Sequence, residues 1–226
     1  TGVFLTVLGY GSGNYSDANM ESIADAGNGN YYYIDCIDEA NRVLVDKLKQ
    51  TTVTVAKDVK LQVEFNPMEV SEYRLIGYEN RTMSAEDFED DTKDGGETGA
   101  GQTVTVLYEL VCNTEDVSDN DLKYQTNRQL TEKALSGEIL TLAIRYKEPD
   151  GNTSVEETFA VRHTDAAEMS ADFQFAAGVA ELAMIINDSD YLGTATLDTA
   201  YELVCGGSGD DDYREELGDM IKSLKY

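Results

Sequence analysis

The chain has 226 residues, with 17 lysines and arginines against 44 aspartates and glutamates, for a formal net charge of −27. That length holds one large domain or two smaller ones and buries a sizeable core. The charge repels phosphate backbones and anionic membrane surfaces, so it excludes nucleic acid as a natural partner and leaves basic proteins and cations open.

The three cysteines, Cys36, Cys112 and Cys205, are far apart and show no CxxC spacing. They form neither a disulfide framework nor a zinc site, and they read as small buried hydrophobes. No apolar run is long enough to span a bilayer, and none reads as a signal peptide. Direct membrane insertion of this segment is not expected.

Val3 to Leu8 is a continuous apolar run, as in a strand buried on both faces. Gly9-Tyr10-Gly11-Ser12-Gly13 follows it with GxGxG spacing, which reads as a tight strand-to-helix turn rather than a dinucleotide loop. Met20, Ile23 and Ala24 keep helical spacing up to Gly27. Tyr31 to Ile34 predicts a second strand. Asp35 is the expected cap of a second helix with an apolar stripe of Ile37, Ala40, Leu44 and Leu48. The order strand–helix–strand–helix predicts the edge of a parallel, doubly wound sheet.

From Thr51 the period becomes two. Val59 to Phe65, Tyr73 to Tyr78, Val104 to Tyr108, Leu140 to Lys147 and Val155 to Val161 predict antiparallel strands, and Pro149-Asp150-Gly151-Asn152 predicts a hairpin turn. Several strands with such punctuation predict a β-sandwich over 51–165. From Ser170 helical spacing returns. It predicts a nearly all-apolar helix, a second capped by Thr194, and a third opening on Asp210 to Asp212 with a stripe of Tyr213, Leu217, Met220, Ile221 and Leu224. The expected fold class is mixed α+β: an α/β piece over 1–50, a β-sandwich-like region over 51–165 and a helical region over 166–226.

These segments carry a family resemblance. Asp58-Val59-Lys60, Gln62 to Pro67, Tyr73 to Arg81, Glu86-Asp87-Phe88, Asp90-Asp91, Lys93-Asp94, Gly99-Ala100-Gly101 and Leu107-Tyr108-Glu109 resemble the C-terminal region of YfbK-type bacterial von Willebrand factor A proteins. Leu8 to Tyr15, Ala24 to Gly29 and Tyr33-Ile34-Asp35 resemble the last two strands of such a von Willebrand factor A domain. One departure is Gln102, where the family has His; residues 112–135 match poorly. The resemblance implies a non-enzymatic interaction or scaffolding region, exported or anchored through an N-terminal segment absent here. It also implies that the metal-ligating loops precede this chain. No DxSxS motif occurs, and Asp116 to Asn120, the nearest approach, ends in Asn. No metal ligand, cofactor or catalytic residue is expected.

The acidic run Glu86 to Glu97 is the candidate interaction loop, with Asp90, Asp91, Asp94 and Glu97 as its candidate contacts to a protein partner. An EF-hand starting at Asp90 fails at Thr92 and Gly101. Two competing expectations remain: a carboxylate-based hydrolase using residues 86–97, and a rigid support for a metal-site domain. The lone His163 reads as a surface residue, with no GxSxG elbow to serve it. The apolar first strand also predicts self-association through residues 1–50.

Overall fold

The computed structural model describes residues 4–11, 16–27, 29–78, 81–113, 130–162 and 168–225. The chain is α+β, with mixed helices and mainly antiparallel sheets. It divides into two compact units, one of residues 1–66, 83–104 and 138–161, the other of residues 67–82, 105–137 and 162–226.

The first unit opens on β1 (Val7–Tyr10), α1 (Asp17–Ala26) and β2 (Tyr31–Ile34). The two strands pair in parallel, with Val7 opposite Tyr31 and Tyr10 opposite Ile34. This is the strand–helix–strand order expected, although β1 begins later than the apolar run suggested and extends through Tyr10. Gly27 ends α1 as its C-cap. The Tyr31 hydroxyl donates to Asp17 (2.7 Å), tying the start of α1 to β2, and the Tyr33 hydroxyl donates to the carbonyl of Gly11 (2.8 Å) just after β1.

The second predicted helix is interrupted. α2 (Ile37–Asn41) passes into a π-helical turn over Arg42–Asp46, then α3 (Leu48–Thr52). Its cap is Cys36, whose sulfur accepts from the Glu39 N–H, and not Asp35. Widening the helix to the π spacing rotates the later side chains. Val43 is the buried residue; of the expected stripe Ala40 is half-buried, while Leu44, Leu48 and, before the π turn, Ile37 face outward.

The rest of this unit is a four-stranded sheet in the order β5-β3-β7-β8. β3 (Thr54–Phe65) and β7 (Glu138–Lys147) are long and antiparallel, with Lys60 opposite Arg145, Leu61 opposite Ile144 and Val63 opposite Leu142. β8 (Ser154–Arg162) follows the Pro149 turn, as predicted. The short β5 (Gly96–Gly99) lies on the other side of β3. Directly opposed residues share a face, so Lys60 and Arg145 point to one side. Leu61, Val63, Leu142 and Ile144 point to the other, with Val155, Phe159 and Val161 of β8.

The second unit holds a two-stranded antiparallel sheet, β4 (Val70–Ile76) with β6 (Leu107–Cys112), and three helices. β6 starts later than the predicted Val104, after a turn in which Gln102 accepts the Gly99 N–H. The helices are α5 (Ala171–Ile186), α6 (Leu197–Gly206) and α7 (Asp212–Leu224). Their shared core is Leu182, Ala200, Val204 and Ile221, flanked by Phe175, Ile185, Leu197, Tyr201 and Leu217. Thr196, not Thr194, caps α6, in a reciprocal capping box with Thr199. Only part of the predicted α7 stripe is buried: Ile221 is sealed, while Tyr213, Met220 and Leu224 are exposed.

The strands of the 51–165 region thus form a four-stranded sheet in one unit and a two-stranded sheet in the other. Expectations that fell on Asp116 to Asn120 and His163 lie outside the described residues. The cysteines depart from expectation. Cys36, Cys112 and Cys205 are all free and exposed, because they sit at a helix cap, a strand end and a last helical turn rather than in the packed interior. Among the described residues, no helix is long and apolar enough to cross a membrane.

Candidate functional site

The acidic segment begins in a short helix and ends in a short strand, with Glu86, Glu89, Asp91 and Asp94 exposed between or upon them. Ser84 caps α4 (Ala85–Glu89) by accepting the Asp87 N–H, and the side chain of Phe88 is buried. α4 packs on β3, and the chain then returns as β5 along the edge of that strand. What fixes it there is a set of cations on one face of the sheet.

Lys60 is only 3% exposed, and its ammonium donates to the carbonyl oxygens of Asp87 (3.1 Å) and Asp90 (2.6 Å). Its methylene stem crosses the sheet face while its charge meets the open end of α4, where unsatisfied carbonyls favour a cation. Arg145 donates to the Asp91 carboxylate (2.9 Å), and the Ser154 hydroxyl donates to the same oxygen (2.5 Å). Those two partners, the hydroxyl first, hold the Asp91 carboxyl down to about 2. Lys147 donates to the Asp91 carbonyl (2.8 Å) and to the Asp58 carboxylate (2.6 Å).

Asp58 is the strained member. Its φ is +51°, in the left-handed region that costs a side-chain-bearing residue roughly 1 kcal/mol, and that Asp tolerates better than most. The register of β3 shifts at this position against both neighbours, between Ala56 and Val59 on the β5 side and between Lys57 and Lys60 on the β7 side. Such a bulge re-aims one side chain. Here it turns the carboxylate to Lys147 on one oxygen and to the Gly95 N–H (3.4 Å) on the other. Burial pushes the Asp58 carboxyl up, but these hydrogen bonds outweigh it and leave the group below its ordinary value. Gly95 must be glycine at this approach, since a Cβ would lie 2.6 Å from the Asp58 carbonyl carbon.

Asp94 and Glu97 complete the cluster. One oxygen each of Asp58, Asp94 and Glu97 lies within 4.8 Å of the others. Glu97 Oε2 exposes under 1 Å² to solvent and has no hydrogen-bond partner among the described residues. Burial first, then the charges of Asp58 and Asp94, raise the Glu97 carboxyl to about 7, against weaker pulls from Lys57 and Lys147. The spacing of the three oxygens suits one small cation. One Asp58 oxygen also accepts from the Lys147 ammonium, which brings a positive charge to that corner.

The four candidate residues therefore separate. Asp94 and Glu97 meet in the cluster. Asp91 is bound to Arg145 and Ser154, and Asp90 turns the chain by accepting from the Thr92 N–H (2.8 Å) and hydroxyl (2.7 Å). Asp58, Lys60, Arg145, Lys147 and Ser154 were not anticipated. One signal was available: Arg145 and Lys147 alternate on one strand, which places two cations on a single face. In a chain with so few basic residues, that face needs an anionic cover.

The second unit has its own cation built into an apolar setting. Arg74 of β4 donates to Glu109 (2.6 Å) across the strand pair, stacks over the Tyr191 ring at 4.4 Å, and reaches the Met184 sulfur (3.8 Å). It ties the small sheet to the end of α5 and the loop that follows.

Comparison with known proteins supports the YfbK part of the resemblance. A family model described as "Uncharacterized protein YfbK, C-terminal" matches residues 50–226. The "Uncharacterized protein YfbK" of Escherichia coli (strain K12) is 40% identical over 224 residues, covering 98% of this chain and 39% of that protein. The chain thus spans well under half the length of this relative. No solved structure matches. The chain belongs to the family defined by the C-terminal region of YfbK.

Proposed function

We propose that this chain is a non-enzymatic protein-interaction and scaffolding region, whose first 50 residues are the closing part of a von Willebrand factor A domain, followed by a sandwich-like region over 51–165 and a helical region over 166–226. The observation that carries this reading is the parallel β1–α1–β2 unit, the strand–helix–strand repeat from which doubly wound sheets are built. The outward stripe of Ile37, Leu44 and Leu48 beside it is what a helix presents when it packs on a larger body. The exposed Val155, Phe159 and Val161 of β8 supply an apolar strip for a protein partner.

The hydrolase reading is favoured by one observation. Glu97 is held near neutral while Asp58 is held low, the divergence that separates a general acid from its partner carboxylate. Against it, the Asp58 carboxylate is held by Lys147 and the Gly95 N–H, which lowers its basicity.

Site-specific photocrosslinking in native cells separates the two. A photoreactive residue at Leu44 is expected to give an adduct within the same polypeptide, and one at Phe159 an adduct with one discrete protein. If neither position gives an adduct and Glu97→Gln abolishes a hydrolytic activity of the protein, the interaction reading is wrong.

A further inference from the structure

We propose that Asp58, Asp94 and Glu97 form a proton-controlled clasp: with a proton on Glu97 the edge strand β5 stays closed on β3, and loss of that proton lets it open.

The geometry concentrates three carboxylates where β5 meets the β3 bulge, with one oxygen of each within 4.8 Å of the others. The groups facing Glu97 are Asp58 and Lys57 from β3, Lys147 from β7 and Asp94 from its own segment. Lys147 is committed to Asp58 and to the Asp91 carbonyl. The independent observation is Glu97 Oε2, sealed from water with no partner among the described residues. A buried carboxylate oxygen without a donor is costly as an anion and far less costly as a neutral carboxyl. The same oxygen can only be relieved by a bound cation or by opening to water.

Opening is local because β5 is weakly held. It is four residues long, its pairing with β3 is broken by two register shifts, and it has no partner on its other side in the sheet order. A strand held by so few bonds responds to one added charge. Its departure would uncover the N–H and C=O groups of β3 from Thr54 to Val59, an edge that other strands can pair with.

The sign follows from linkage. In the closed strand Glu97 keeps its proton up to about 7, whereas its ordinary value is 4.5. The closed state binds the proton more tightly, so closure is fully supported below that ordinary value and weakens as pH rises through the window. Above about 7 nothing further is lost. Asp58 titrates below this range and does not contribute to it.

The test is hydrogen exchange of the intact protein, read by mass spectrometry on peptides spanning residues 93–102 and corrected for the intrinsic effect of pH. Between about pH 5 and about pH 8, protection of these amides should fall about tenfold or more in the wild type. It should stay level in Glu97→Gln, which keeps the shape and removes the charge. Asp94→Asn should show a smaller fall than the wild type, and it serves if the Gln variant folds poorly. A level wild-type profile overturns the proposal, as does an equal fall in Glu97→Gln. Protection restored at about pH 8 by calcium also overturns it, since the cluster would then take a divalent ion in place of a proton.

Discussion

The Lys60 ammonium lies 2.6 Å from the carbonyl oxygen of Asp90, thirty residues away in sequence, with the lysine only 3% exposed. A buried lysine is costly unless its donors are used. Here they are used on main-chain carbonyls at the end of α4, so the charge that would oppose burial instead closes a helix terminus.

Replacing Lys60 should therefore cost more than an ordinary strand substitution. Lys60→Ala leaves two carbonyls without their donor and removes the stem that crosses the sheet. The expected loss is about 2–3 kcal/mol. Lys60→Met, which keeps the stem, should lose less. Urea unfolding midpoints of the two variants and the wild type measure both effects.

Acid should release the same segment from another point. The Asp91 carboxyl is held at about 2 by Ser154 and Arg145. A depressed carboxyl stabilises the fold above its unfolded value and loses that contribution as pH falls through its folded value. Stability should thus decline between about pH 4 and about pH 2, and Asp91→Asn should flatten that decline. Urea midpoints at the two ends of the window report the difference. A decline of equal size in the variant would move the effect to Asp58 or to other carboxylates.

The strands were legible because their side chains alternate. β2 was read to the residue, and β7 and β8 followed from the alternation of Leu142, Ile144 and Tyr146 and from the Pro149 turn. Ser170 and Gly27 are helix ends whose local chemistry suffices. β5 was not legible, because Gly-Glu-Thr-Gly has little intrinsic strand preference and becomes a strand only through pairing with β3. The π turn at Arg42 to Asp46 was hidden for a similar reason: nothing in the apolar spacing marks one extra residue per turn. The capping box at Thr196 escaped notice because Thr199, not Glu or Gln, supplies the reciprocal side chain.

The site was legible only in outline. The acidic run was visible, and two of its members, Asp94 and Glu97, belong to the cluster. Its third member, Asp58, is brought in by a left-handed backbone at a bulge, a property of the two neighbouring strands rather than of the local sequence. The cations that bind the segment come from residues 50 or more positions away in two cases, Arg145 and Lys147. Charge pairing at that separation depends on register, which composition does not carry.

The helical core supplies a paired test of the α7 stripe. Ile221 is fully buried among Leu182, Ala200 and Val204, while its neighbour Met220 is 59% exposed. Ile221→Ala should cost about 3 kcal/mol, and Met220→Ala should stay within about 0.5 kcal/mol. Equal losses by chemical denaturation would mean that Met220 is covered in solution.

The last prediction concerns the net charge of −27. Lys60, Arg145 and Lys147 offset only the segment they hold, and 17 lysines and arginines cannot neutralise 44 acidic residues. Self-repulsion of that magnitude opposes the compact state, and it acts over the distance that salt leaves unscreened. The Debye length falls from about 30 Å at 0.01 M salt to about 10 Å at 0.1 M. At the longer length, charges on opposite sides of a unit repel one another; at the shorter, only neighbours do. The salt bridges Arg145–Asp91 (2.9 Å) and Lys147–Asp58 (2.6 Å) are partly shielded from solvent and close enough that the same salt weakens them little. The melting temperature should therefore rise between these two salt concentrations, measured by circular dichroism at constant pH. A fall would show that the ion pairs outweigh the net repulsion. In that case Arg145→Met should remove the salt dependence, whereas under net repulsion it should steepen it by adding one more uncompensated negative charge.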